Sequence, residues 1–271
     1  MTASRHLSRF DLTGKSALVV GAAGTFGRAG AFALGEAGCR LTVADLDRAN
    51  IDVVAAELGA ADIDAVAVAQ WPDTEAHADR IVRAAVDAHG RLDIVFIALG
   101  INDVAYVEDQ SEDGWRRVMD ANLDSYWRTC QAAGRQFARQ PVPEAGPADR
   151  YKIAVVSSTR GKLGHASGYA AYCASKSGLE GMVRALAGEW GAKNININAI
   201  GPTVFRSPVS EWMFDENDPG KSVRENMLER IPVGRLGDVE DLMGGLIYLT
   251  SPASDFMTGQ TIYIDGGYTA I

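Results

Sequence analysis

The stretch at 16–45, SALVVGAAGTFGRAGAFALGEAGCRLTVAD, decides the fold. SALVV (16–20) is apolar almost throughout, as a strand covered on both faces must be. RLTVAD (40–45) reads as a second short strand and closes on Asp45. Between them Gly21, Gly24 and Gly27 punctuate a turn, and a proline-free helical segment follows over 27–37. A strand, a tight turn, a helix and another strand within thirty residues make a βαβ unit, whose two strands run parallel.

The pattern recurs along the chain. Apolar runs at 64–69, 93–98, 152–157, 194–200 and 261–265 read as further strands. Helical stretches are predicted at 48–58, 74–89, 113–139, 170–191 and 237–250. The expected architecture is therefore α/β: a single-domain Rossmann-type doubly wound parallel sheet of about seven strands, helices on both faces, over 1–271. Two connections exceed what a helix needs. The segment 138–151 carries three prolines and reads as a surface loop. The segment at about 202–236 leaves the carboxyl end of a strand, where such sheets place substrate lids.

Composition narrows the function classes. Lys and Arg number 26 against 35 Asp and Glu, a net charge of −9 without a dense basic run, which argues against nucleic acid or an anionic membrane as partner. No apolar run approaches the ~20 residues of a membrane span, and no signal-peptide core precedes the first strand. Cys39, Cys130 and Cys173 have no paired metal spacing, so no metal is expected and the thiols read as reduced, in a cytoplasmic protein.

In GYAAYCASK (168–176), Tyr172 precedes Lys176 by four residues, the spacing of facing side chains on a helix. An ammonium beside a phenol stabilises the phenolate and draws its pKa toward the working range of an acid–base catalyst. Tyr169 lies seven residues from the lysine, about 10 Å along a helix, and reads instead as lining the substrate mouth or as packing. The glycine turn lets the backbone approach a pyrophosphate at the N-terminus of the next helix. Asp45 can accept hydrogen bonds from an adenosine ribose and would repel a 2′-phosphate, so NAD is expected over NADP.

Taken together, these segments resemble the short-chain dehydrogenase/reductase superfamily over nearly the whole chain. Its lead-in is matched by FDLTGKSALVVG (10–21), and its terminal pattern by GRLGDVEDL (234–242) and TGQTIYIDGGY (258–268). The resemblance implies catalytic roles for Asn122, Ser158, Tyr172 and Lys176. Tyr172 would exchange a proton with the alcohol or ketone oxygen, Ser158 would bind that oxygen, Lys176 would also hold the nicotinamide ribose, and Asn122 would hold a relay water. It further implies dinucleotide contacts at Gly21, Gly24, Thr25, Phe26, Gly27, Asp45, Leu46, Gln70, Trp71, Gly100, Pro202, Phe205 and Ser207, together with Tyr172 and Lys176. Members usually pair long helices between subunits, so a homodimer or homotetramer is expected.

The chain also departs from the family pattern. Val20 and Thr25 replace a threonine and a glycine of the nucleotide turn, and IALG (97–100) lacks the usual pair of asparagines. Thr203 follows Pro202 where a glycine is customary, and Ser158 precedes Tyr172 by one residue more than usual, leaving Thr159 as an alternative to it. Basic residues Arg160, Lys162, His165 and Arg206 near the presumed rim point to a small-molecule substrate with an anionic group, such as a sugar acid, or else serve solubility. Trp212, in EWMF (211–214), would give with Met213 and Phe214 an apolar cover or ordinary packing between lid helices. Rival readings are a cyclic hydroxy compound as substrate, a 3-oxoacyl-thioester reductase, and a dinucleotide-binding sensor without catalysis.

Overall fold

The computed structural model describes residues 6–141, 150–207, 210–215 and 219–271. Seven strands, β1 (Ser16–Val20), β2 (Arg40–Asp45), β3 (Ala65–Ala69), β4 (Ile94–Ile97), β5 (Tyr151–Val156), β6 (Ile195–Pro202) and β7 (Thr261–Ile264), form one sheet in the order β3-β2-β1-β4-β5-β6-β7. Every pairing is parallel.

Alternation along each strand sorts side chains to two cores. Leu18, Val20, Val95, Ile97, Ile153 and Val155 point to the face covered by α3 (Glu75–His89), α5 (Ser125–Phe137) and α6 (Ala170–Trp190). Ala17, Val19, Leu41, Val43, Ile94 and Phe96 point to the face covered by α1 (Thr25–Glu36), α2 (Arg48–Ala60) and α8 (Glu240–Thr250). Burial on both faces explains why these strands read as unbroken apolar runs.

The predicted strands and helices are all present, with ends moved by a few residues. The helix expected over 113–139 differs in one respect. It is α4 (Glu112–Met119) and α5 joined by a π-helical turn, Asp120–Asp124. Such turns put one extra residue into the helix and re-aim the side chains there. The lid region holds a short 3₁₀ turn, Glu211–Phe214, and α7 (Gly220–Leu228). Residues 142–149 of the expected proline-bearing loop lie outside the described residues.

The chain leaves β1 toward β2 and β3, then crosses back to β4 on the other side of β1. The carboxyl ends of β1 and β4 therefore form the point where the winding reverses, the customary ligand crevice of an open parallel sheet. There Gly21, at φ +84°, comes so close to β4 that a Cβ would lie 2.8 Å from the Ala98 carbonyl oxygen. A Cβ on Gly27 would lie 2.0 Å from the Gly21 carbonyl oxygen, so any side chain there would break the turn.

Candidate active site

Asn122 lies in the π turn and is fully buried. Its Oδ1 accepts from the Ile101 amide at 2.8 Å, and its Nδ2 donates to the Ile101 carbonyl at 2.9 Å and to Ser175 Oγ at 3.2 Å. It thus fastens the loop after β4 to α6. Gly100 lies between Asn122 and Lys176, where a Cβ would be 3.9 Å from Asn122 Oδ1 and 3.8 Å from Lys176 Nζ.

Lys176 is buried on α6. Its ammonium donates to the Val156 carbonyl at 2.9 Å and to the Leu99 carbonyl at 3.4 Å, the ends of β5 and β4. It also lies 5.1 Å from the Tyr126 ring centre and 5.8 Å from that of Tyr172. Burial pulls its pKa down to about 7, against the attraction of Glu180 one helical turn on.

Tyr172 is half-buried and hydrogen-bonded with Ser158. Ser158 Oγ also accepts from the Arg160 amide at 3.1 Å, which fixes the hydroxyl at the start of a 3₁₀ turn. Ser158 rather than Thr159 therefore meets the phenol, despite the longer spacing. The direction of the Tyr172 pKa corrects the expectation drawn from spacing. Burial raises it, and the hydrogen bond with Ser158 and the charge of Arg160 oppose that rise. In this state the phenol holds its proton at neutral pH. Tyr169 packs edge-on to Tyr172 at 6.2 Å, and the His165 ring packs on Tyr169 at 4.5 Å.

The dinucleotide residues gather at the same crevice. Asp45 Oδ2 accepts from the Ala23 amide at 3.0 Å and Oδ1 from the Leu46 amide at 2.7 Å, tying the end of β2 to the glycine turn. Gly24 caps α1, which begins at Thr25. Phe26 and Phe205 meet edge to face at 5.5 Å. Gln70 is held by Arg80 at 2.8 Å and reaches the Trp71 carbonyl at 3.1 Å. Pro202 ends β6, and the next residue, Thr203, has a buried hydroxyl with no hydrogen-bond partner. The Ser207 amide donates to Ser210 Oγ at 3.0 Å. A turn that tolerates no Cβ, a carboxylate at the end of β2 and an unsatisfied hydroxyl at the end of β6 fit a nicotinamide dinucleotide laid across the crevice.

Other expected rim residues line two clefts or face solvent. The Lys162 ammonium lies 5.2 Å from the Tyr263 ring centre and lines a cleft of about 490 Å³ with Glu180 and Arg184. The Arg206 guanidinium covers Phe214 at 4.0 Å and borders a cleft of about 630 Å³ with Glu211, Arg224 and Asp238. Neither cleft is lined by Tyr172 or Lys176. Trp212 is 52% exposed, while its neighbour Met213 supplies the packing. Arg160, by contrast, is buried beside Ser158.

Sequence reasoning missed three residues of the site. Tyr126, one turn beyond Asn122, places its hydroxyl against the same Leu99 and Val156 carbonyls that Lys176 uses. Glu180 accepts from Ser157 Oγ at 2.8 Å and from the Tyr263 hydroxyl at 2.9 Å. Tyr268 accepts from Arg160 at 3.2 Å. Four-residue spacing from Asn122 and from Lys176 could have pointed to the first two.

Fold and site together define a dinucleotide-dependent oxidoreductase with a tyrosine–lysine pair at the carboxyl edge of a parallel sheet. The chain belongs to the short-chain dehydrogenase/reductase superfamily. A family model described as "Enoyl-(Acyl carrier protein) reductase" matches residues 21–269. An uncharacterized oxidoreductase of Mycobacterium tuberculosis is 47% identical over 97% of this chain and 94% of its own. The 2-dehydro-3-deoxy-D-gluconate 5-dehydrogenase of Dickeya dadantii is 34% identical over 97% of this chain and 99% of its own. Among solved structures, a gluconate 5-dehydrogenase from Burkholderia cenocepacia, in complex with NADP and tartrate, superposes with a TM-score of 0.88. It is 26% identical, covering 98% of this chain and 99% of that one. Among the described residues no helix is long and apolar enough to cross a membrane, and no cluster of metal-ligating side chains occurs.

Proposed function

We propose that this chain is an NAD-linked dehydrogenase that interconverts a secondary alcohol and a ketone on a small hydroxylated substrate, a sugar acid in the first instance. The observation that carries this reading is the meeting of Tyr172, Ser158, Lys176 and Asn122 at the point where the sheet reverses its winding. NAD bound across the glycine turn would accept or supply the hydride. Tyr172 holds the proton that the substrate oxygen gains on reduction and takes it back on oxidation. Ser158, fixed by the Arg160 amide, binds the same oxygen and stabilises charge developing on it. Lys176 sets its buried amine 5.8 Å from the centre of the Tyr172 ring, where its protonated form would favour the phenolate, and Asn122 holds the loop carrying Gly100 and Ile101 against α6. A sensor has no need of this group, and a net charge of −9 does not favour a basic surface for an acyl carrier. The three cysteines are free, which suits the reducing conditions of a cytoplasm.

The deciding experiment supplies NAD and a panel of secondary alcohols to the purified protein and follows NADH by absorbance. Turnover supports the reading, and silence across the panel with NAD bound favours the sensor. Asp45 sets the cofactor preference in this reading. Asp45→Ala should raise the NADP-to-NAD ratio of kcat/KM at least about tenfold, because the carboxylate that would repel a 2′-phosphate is gone. An unchanged ratio refutes that role. The chain is also proposed to form a homodimer or homotetramer. Trp115 on α4 and Trp127 on α5 are 37% and 42% exposed, large apolar side chains fit to be covered by a second copy. Light scattering at micromolar concentration should give a multiple of 28.9 kDa, and a monomer mass would refute it.

A further inference from the structure

In this acidic chain many arginines find carboxylates. Arg28 sits on Glu57, Arg91 on Asp93 and Arg235 on Asp241. Arg160 and Arg230 do not. Among the described residues neither forms an ion pair, although both lie against one aromatic ring. The Arg160 guanidinium carbon is 5.6 Å from the centre of Tyr268 and that of Arg230 is 4.4 Å from it, so the two charges are no more than about 10 Å apart.

Their settings differ in a useful way. Arg160 is only 8% exposed and donates to the Gly164 carbonyl at 2.9 Å and to the Tyr268 hydroxyl at 3.2 Å. These acceptors are neutral, and a guanidinium has five N–H donors. A buried charge without a counter-charge is costly, and a bound anion is the usual way such a site is completed. Arg230 follows α7 and is exposed, able to close over a ligand from the lid side. The nearest chain carboxylate on the Tyr268 turn, Asp265, is occupied by the Gly267 and Thr269 amides, both at 2.9 Å.

The pair is joined to the reacting centre. Arg160 follows Ser158 by two residues, and its charge acts on Tyr172. His165, whose pKa is lowered by burial and then by both arginines, stacks on Tyr169, and Tyr169 packs on Tyr172. A substrate of a few carbons, its reacting oxygen at Tyr172, therefore ends among Arg160, Arg230 and His165.

We propose that Arg160 and Arg230, mounted on Tyr268, form the receptor for a carboxylate of the substrate. The ligand class is a hydroxy or keto carboxylic acid, and the assignment rests on reading the Tyr172 site as a dehydrogenase centre.

The test is calorimetric titration of NADH-loaded protein with D-gluconate and L-tartrate, and with the neutral polyols sorbitol and threitol as matched probes. The acids should bind measurably tighter than the polyols. Arg230→Ala should cut the acid-to-polyol affinity ratio about tenfold or more, the loss of one charge-assisted contact, with thermal unfolding as the check on folding. Arg160→Lys, which keeps the charge but loses the planar fork, should lower the ratio less than Arg230→Ala. Acids that bind no better than polyols overturn the receptor, as does an Arg230→Ala ratio equal to wild type. Turnover is read separately in the same samples. Acid binding without turnover of any probe supports the receptor and counts against the dehydrogenase reading. Turnover of polyols alone leaves the enzyme and removes the receptor.

Discussion

Tyr172→Phe is expected to lower turnover by roughly two to four orders of magnitude while NADH binding, followed by fluorescence, stays within about twofold of wild type. Phenylalanine fills the same volume, and Ser158 keeps its bond from the Arg160 amide, so the change removes a proton donor without removing a packing element. Tyr169→Phe is the internal comparison. Its ring stands edge-on to Tyr172 and on His165, contacts that survive loss of the hydroxyl, so its turnover should fall far less. A large loss in Tyr169→Phe with little in Tyr172→Phe would transfer the acid–base role. The pH profile has a definite sign as well. Burial raises the Tyr172 pKa, so the proton is present at neutral pH for reduction, and alcohol oxidation should speed up as pH rises. Oxidation that falls from neutral to alkaline pH, in protein that remains folded, would contradict this.

The fold was legible because its strands are buried on both faces, which leaves apolar runs that no surface strand would show. The glycine turn was legible for a steric reason, since Gly21 and Gly27 stand where a Cβ meets backbone. Tyr172 and Lys176 declared themselves by helical spacing. What stayed hidden depends on contacts distant in sequence. The extra residue in the Asn122 helix leaves no periodic mark in DANLD, yet it lets Asn122 face Ile101 and Ser175. Arg160 and Lys162 are two residues apart in one loop and looked equivalent. Only the fold shows that one turns to Tyr268 and the other to Tyr263. The pKa direction of Tyr172 was misjudged because spacing records the nearby lysine and says nothing of burial.

Lys176→Met should abolish most turnover, by about a hundredfold or more, and yet make the cofactor-free protein more stable near pH 7. The stability gain follows from linkage. In the unfolded chain the lysine pKa is near its ordinary 10.5, and in the folded site burial brings it to about 7. Between those values the unfolded state holds one proton more than the folded state, so stability from this group rises with pH from about 7 to about 10.5. Below that window the full penalty applies. At ~1.4 kcal/mol per pH unit it is on the order of 4 kcal/mol at pH 7 and under about 1 kcal/mol at pH 10. Methionine loses the hydrogen bonds to Val156 and Leu99, at about 1 kcal/mol each, but the Tyr126 hydroxyl remains against both carbonyls. A net gain of about 2 kcal/mol should raise Tm by roughly 5 °C at pH 7. The gain should shrink and reverse toward pH 10, where the penalty is small and the lost hydrogen bonds remain. The thiols of Cys39 and Cys130, which burial pushes up to about 12, titrate alike in both proteins and cancel in the difference. A variant less stable than wild type at pH 7, or a gain that does not vary with pH, would show that Lys176 is held charged in the folded state. Retained turnover would remove it from the catalytic group altogether. The gain in stability and the loss of turnover have one cause, because the amine that folding must desolvate is the same group that stands beside the phenol.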